Sequence, residues 1–152
     1  MSERNRSGAT ETILEFFKAT GPELVYIMPT KGTAAVVSII CMSLKIPYIL
    51  VSPYPGFFNG VNHLDKVCIK AATSKAKSFI IVHDDEPKDA AHGDEIWEES
   101  VEFLSSVSSA IVFMYSKKAP HTYMSFIDKV CTANEGKPLW EVIYDKGHDA
   151  TL

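Results

Sequence analysis

The sequence predicts an α/β domain: a mostly parallel sheet of about five strands, with helices on both faces. Two observations predict it. Five short apolar runs alternate with longer stretches of helical periodicity, and regular alternation of this kind points to parallel strands joined by crossover helices. Each apolar run is also nearly continuous rather than alternating, as strands covered on both faces are.

The first element expected is a helix over 9–20, ATETILEFFKAT. Ile13, Leu14, Phe16 and Phe17 fall on one stripe, Thr10 is placed to cap the start, and Gly21-Pro22 ends the run. Residues 23–28 read as a strand closed by Pro29. Thr33–Leu44 reads as a helix whose small residues, Ala34, Ala35 and Ser38, let it lie close to a sheet. Lys45-Ile46-Pro47 breaks it, Tyr48–Val51 is a second strand, and SPYPGFFNG is a turn-rich loop. A helix is expected over Asn62–Ala76, with Leu64, Val67, Cys68 and Ala71 on its inner side.

Phe79–Val82 is the third strand. The polar stretch HDDEPKDAAHGDE reads as a loop of about 13 residues, long enough to be functional or mobile. Glu95–Val107 follows as a helix with Ile96, Trp97, Val101, Leu104 and Val107 inward. Ala110–Tyr115 is the fourth strand, SKKAPH a loop, Thr122–Ala133 a helix, and Leu139–Tyr144 the fifth strand after Gly136-Lys137-Pro138. The order describes one three-layer Rossmann-like domain over 1–152, with residues 1–8 and 146–152 as polar, flexible ends.

Composition narrows the function. The chain has 152 residues, of which 46% are hydrophobic and 22% charged, within the range of a globular domain. A formal net charge of −4 argues against a nonspecific nucleic-acid binder, which carries a basic surface. The longest apolar stretch, Ala34–Leu44, is well short of the ~18 residues a membrane span needs. The N-terminus has two arginines but no apolar signal core. A cytoplasmic protein is expected. Cys41, Cys68 and Cys131 are odd in number, far apart and in apolar surroundings. They read as reduced thiols, and no Cys/His cluster has metal spacing.

In a parallel sheet ligands bind outside the carboxyl ends of the strands, so the turns there carry the candidate residues. After the first strand comes Thr30-Lys31-Gly32-Thr33. A helix N-terminus offers unsatisfied N–H groups and partial positive charge. Gly32 permits close approach, the threonines add hydroxyls and Lys31 adds charge, which together suit an anion such as phosphate. The same residues also suit a plain turn with Thr33 as cap, and the spacing is neither a Walker A loop nor G-x-G-x-x-G. After the second strand, Tyr54, Phe57 and Phe58 are placed either to stack on a base or to pack over the sheet, and Asn59 to bond a base edge.

After the third strand, Asp84, Asp85 and Glu86 are either a solvated loop, a Mg²⁺ or ribose site, or the acid/base of a hydrolase. After the fourth, Lys117, Lys118 and His121 suit an acidic group or are solvated. His92 and Asp94 read as loop and helix-cap residues. No Ser/His/Asp order or other complete catalytic motif is present.

From Glu23 to Tyr144 the chain resembles the SLOG superfamily, which includes the lonely-guy phosphoribohydrolases and YpsA-like proteins. The segment ELVYIMPTKGTAAVVSIICMSLKIPYILVSPYPG is similar to its core piece. That piece runs through a strand, a Gly-containing turn, a helix rich in small residues, and a K-x-P turn into a strand ending in Pro. FLSSVSSAIVFMYSKKAPHTYMSFIDKV resembles the later part of YpsA-like members, with Pro120-His121-Thr122 where those have a Gly-Thr-type helix start. The extra strand that usually opens the family is missing, one glycine stands where two are usual, and the paired glycines and catalytic Glu of the lonely-guy signature are absent.

The resemblance implies a Rossmann-like fold and binding of a nucleotide or nucleotide-derived small molecule, with or without Mg²⁺. The ligand would be met by Thr30, Lys31, Gly32, Thr33, Tyr54, Asn59, Lys117 and His121, and either sensed or sequestered. A nucleotide-processing hydrolase using Asp84, Asp85 or Glu86, and an interaction module with a decayed pocket, are the alternatives. Phe57, Phe58 and Trp97 offer an apolar surface on which a homo-oligomer could form.

Overall fold

The computed structural model describes residues 3–28, 33–57, 63–116 and 128–144. Four helices and five strands are placed in the order α1 (Glu3–Thr20), β1 (Val25–Ile27), α2 (Thr33–Leu44), β2 (Tyr48–Ser52), α3 (His63–Lys75), β3 (Ser78–Ile81), α4 (Ala90–Val107), β4 (Ile111–Ser116) and β5 (Leu139–Tyr144). Residues 128–133 are also helical. The alternation is that of an α/β protein. Among the described residues no helix is long and apolar enough to cross a membrane.

The strands form two parallel sheets rather than one of five. β2 lies between β1 and β3, with Tyr26 opposite Ile49 and Leu50 opposite Phe79. β4 and β5 pair over their whole length, from Ile111↔Leu139 to Ser116↔Tyr144. No ladder joins β1 to β4.

Side-chain alternation sorts each strand between two helical layers. Ile27, Tyr48 and Leu50 enter a core cluster with Ile13 and Phe17 of α1, Val36, Val37, Ile40 and Cys41 of α2, and Ala72 of α3; Val25 and Val112 pack against it. α1, α2 and α3 therefore share one face. The alternate residue Tyr26 points to the other face, where its ring meets Phe103 of α4 edge-on at 6.4 Å. Ile96 and Ser100 are the buried residues of α4. Helices on both faces follow from right-handed crossovers running in opposite directions.

α2 matches its sequence signals to the residue, and its end is built without glycine. Lys45 takes φ 58°, the Lys45 N–H donates to Met42 O at 3.3 Å, and the Ile46 N–H donates to Cys41 O at 2.9 Å. The second bond is the long-range one of a Schellman turn. A Cβ in the left-handed region costs ~1–2 kcal/mol. Lys45→Gly is therefore expected to raise stability by ~1 kcal/mol and the melting temperature by ~2–4 °C, read by thermal unfolding. Gly21 (φ 56°) ends α1 in the same conformation, its N–H donating to Phe17 O at 2.9 Å.

Several boundaries and faces differ from the sequence expectation. α1 begins at Glu3 rather than residue 9, since Gly8 inside a polar helical stretch costs only ~1 kcal/mol relative to alanine. α4 begins at Ala90 rather than Glu95, which shortens the expected 83–95 loop. The cause is a cap: the His92 N–H donates to Asp89 Oδ1 at 2.8 Å, while the Lys88 N–H donates to His92 Nδ1 at 3.1 Å. The Asp89 bond is the first half of a capping box, while the imidazole of His92 reaches back to the residue before the cap rather than to the cap itself. Asp89→Ala should lower stability by ~1 kcal/mol, seen as a melting temperature ~2–4 °C lower.

α3 buries Ile69 and Ala72, whereas Val67 is 52% exposed and Ala71 is also exposed. Apolar residues lie on two sides of this helix, and packing selects the other stripe. Val107, expected to point inward from α4, is exposed. β3 is not covered on both faces: Phe79 and Ile81 are exposed because the strand is an edge.

Cys41 is fully buried, and burial pushes its thiol up to about 12. The Tyr48 phenol is raised by burial first and by Cys41 second, and its O–H donates to the Ala72 carbonyl.

Candidate functional site

The free edges of β1 and β4 face each other across a cleft of about 640 Å³. Its walls are the two strands, the ends of α1 and α4, and the first turn of α2, with Phe17, Met28, Ala34, Leu104, Val112 and Val130 among the lining residues. Backbone groups alternate sides along a strand. The Val25 N–H donates to Pro47 O at 3.1 Å, toward β2, and the Ile111 N–H donates to Pro138 O at 3.0 Å, toward β5. The N–H and C=O groups of Tyr26 and Val112 are therefore the ones turned into the cleft from opposite walls. A space of this size suits a small organic molecule. Its apolar body and polar backbone edges suit a flat ring system bearing donors and acceptors.

The phosphate candidates border this cleft in sequence. α2 begins at Thr33, no acidic residue lies in its first turn, and Met28 and Ala34 both line the cleft. Ala34 and Ala35 are buried, so the helix start is packed close by small side chains, as the sequence predicts. Thr30, Lys31 and Gly32, and the side chain of Thr33, lie outside the described residues. So do Asn59, Lys117, Lys118 and His121; the two lysines follow directly on Ser116, the last residue of β4.

Tyr54 lies elsewhere. Its ring meets Phe57 edge-on at 5.3 Å, and Phe57 meets Trp97 of α4 at 5.9 Å and 81°. Of the two roles open to these aromatics, packing is the one these contacts serve, with edge-to-face pairs that hold the 53–57 turn onto α4. Ser52, also buried, donates its hydroxyl to Tyr54 O at 2.7 Å. The Phe57–Trp97 surface offered for an oligomer contact is engaged within the chain. Phe58 lies outside the described residues.

The end of β3 holds a contact that sequence spacing does not suggest. His83 Nδ1 lies 2.9 Å from Glu99 Oε2 on α4, and the His83 and His92 rings meet edge-on at 5.2 Å. A carboxylate on Nδ1 fixes the imidazole's orientation and leaves Nε2 for a proton transfer. The pair is partly exposed, at 24% and 48%, and such pairs add little stability. Asp84, Asp85 and Glu86 are exposed. Among the described residues no group of three His, Cys, Asp or Glu side chains is placed to hold a metal ion. The acids stand at the far edge of the three-stranded sheet, with β2 between them and β1.

No protein-family model matches the chain, and no curated protein matches it. The SLOG resemblance rests on the residues quoted for it.

Proposed function

We propose that the protein binds a nucleotide or nucleotide-derived ligand at the carboxyl end of the β1–β4 cleft, and senses or sequesters it. The observation that carries this reading is the placement of β1 opposite β4 with the start of α2 at the cleft. In a doubly wound sheet this is the point where strand order reverses and where ligands sit. In this reading β1 and β4 are the inner strands of one Rossmann-like sheet of order 3-2-1-4-5. The ligand's phosphate meets Thr30–Thr33, its apolar ring enters the cleft beside Met28 and Ala34, and Lys117 and His121 close the rim. The hydrolase alternative has less support, because Asp84, Asp85 and Glu86 lie two strands from the cleft.

A thermal-shift screen against mono-, di- and cyclic nucleotides, NAD and ADP-ribose, with and without Mg²⁺, tests the reading. A ligand that binds the native state alone at a hundred times its Kd adds ~2.7 kcal/mol, which is roughly 5–10 °C for a chain of this size. Gly32→Glu is expected to abolish the shift and leave the melting of the free protein unchanged. No shift from any of these compounds at millimolar concentration would return TKGT to the role of a plain turn.

A further inference from the structure

We infer that the outer face of α3 is a docking surface for an anionic membrane, which the protein meets from one side without spanning it. α3 buries Ile69 and Ala72. At about 100° per residue, the arc opposite these two is centred on Val67, Ala71 and Ser74. Val67 is 52% exposed, and Ala71 and Ser74 are exposed as well. Lys66 and Lys70 border this arc on one side and Lys75 on the other, and Lys77 follows just before β3, all exposed. No acidic residue lies between Lys66 and Ile81. Among the described residues none of these ammonium groups is in an ion pair. Ile81, also exposed, adds apolar surface on the same side of the sheet, because the register places Phe79, and so Ile81 two residues on, on the face of Leu50. α3 returns antiparallel to the strands, so its early turn with Val67 and the end of β3 with Ile81 lie at one end of the layer.

The chemistry of the face identifies the occupant. An apolar strip flanked by lysines suits a bilayer surface: apolar side chains and lysine stems enter the interface, while the ammonium groups stay at the level of anionic headgroups. The hydroxyls of the face favour lipid over a nucleic acid or an acidic protein, which are held by hydrogen bonds across the contact. The Thr73 O–H donates to Ile69 O at 2.8 Å and the Ser74 O–H to Ala71 O at 2.8 Å, so both donors are engaged within the helix. The acids stand elsewhere. Asp94, Glu95, Glu98, Glu99 and Glu102 are exposed along α4, on the opposite face of the sheet, and Asp84–Glu86 belong to the connection that leads there. Glu11 and Glu15 of α1 share the layer of α3 but lie beyond α2. A chain of net charge −4 thus has one basic side to turn toward an anionic surface. Among the described residues no helix is long and apolar enough to cross a membrane, so the contact is superficial. Among those residues α3 also contributes no wall to the cleft, and the inference is independent of the ligand reading.

Co-sedimentation of the whole chain with vesicles tests it. The natural protein is expected to bind phosphatidylcholine vesicles that carry about 30% phosphatidylserine, to ignore vesicles of phosphatidylcholine alone, and to be released by high salt. Lys66→Glu/Lys70→Glu should weaken binding at least about tenfold. Val67→Ser, which leaves every charge in place, should weaken it by about tenfold as well. Both variants change exposed side chains and should keep the melting temperature of the natural protein, so that lost binding is not lost folding. No binding to the anionic vesicles, equal binding to both kinds of vesicle, or binding indifferent to the lysine variant would each overturn the inference. Duplex DNA or polyglutamate bound as tightly as the anionic vesicles, with Val67→Ser silent, would reassign the face to a soluble polyanion and overturn it too.

Discussion

Leu50→Ala is expected to lower the stability of the protein by ~2–5 kcal/mol, equivalent to a fall in melting temperature of roughly 5–15 °C for a chain of this length. Leu50 is 1% exposed and stands at the middle of β2, the one strand paired on both sides within its sheet. All five residues of β2 are buried. Removing the Leu50 side chain therefore leaves a cavity in the cluster it shares with α2 and α3, and the flanking strands cannot close it without breaking their ladders to β2. The same truncation at Val67, on the exposed side of α3, should change stability by no more than ~0.5 kcal/mol. Paired thermal melts of the two variants check the contrast; equal losses would mean that the core lies elsewhere.

Stability is also expected to fall from about pH 9 upward through the reach of Cys41. In the native protein burial holds this thiol protonated up to about 12, against an ordinary value of 9.0. Between those limits the unfolded chain loses the proton while the folded chain keeps it, so the unfolded state binds fewer protons and stability falls as pH rises. One such group gives a slope of at most about 1.4 kcal/mol per pH unit. Tyr48, raised in the same direction, adds to the fall at the upper end of the range. Urea melts from pH 8 to 11 should show the slope in the natural protein and a shallower one in Cys41→Ala. An unchanged slope would assign the alkaline loss to other groups.

Local signals made much of this fold legible. α2 could be read to its last residue because Lys45-Ile46-Pro47 stops it and its small residues mark a close-packed helix. β2, β4 and β5 followed from bounded apolar runs. Where structure and sequence expectation part, the deciding contact lies outside the segment. The first turn of α4 is not legible in the sequence because AAHGDE looks like loop until the Asp89 cap and the back-bond to His92 are known. The buried side of α3 is not legible in its sequence, because apolar residues occupy two of its stripes and only the position of α2 selects between them. β3 reads as fully buried because its apolar run does not reveal that, among the described residues, β2 is its one neighbour in the sheet.

The candidate site is legible in the sequence only as a set of turns after strands, which a parallel topology directs to the carboxyl side of a sheet. Which turns become neighbours was not legible, because strand order is fixed by crossovers and not by any residue in the turns. The turns 29–32 and 117–121 lie outside the described residues, and among the described ones Tyr54 packs toward α4 while Asp84–Glu86 follow β3, with β2 between them and β1. The His83–Glu99 contact joins residues 16 positions apart on a strand end and a helix, and no periodicity marks it.

The break between β1 and β4 has a consequence for how the molecule opens. The central cluster draws on α1, α2, α3, β1 and β2, with Val112 of β4 packed against it, and α1 also lies against β5. A two-stranded ladder held to the rest by packing, with no ladder to β1, can open while the larger sheet stays intact, because local opening does not require every element to unfold. Amide protons of β4 and β5 would then exchange through a subglobal opening, and those of β2 only when the whole chain unfolds. The cleft is the boundary between these two tiers, so a molecule bridging both walls would slow exchange in β4 and β5 without touching β2.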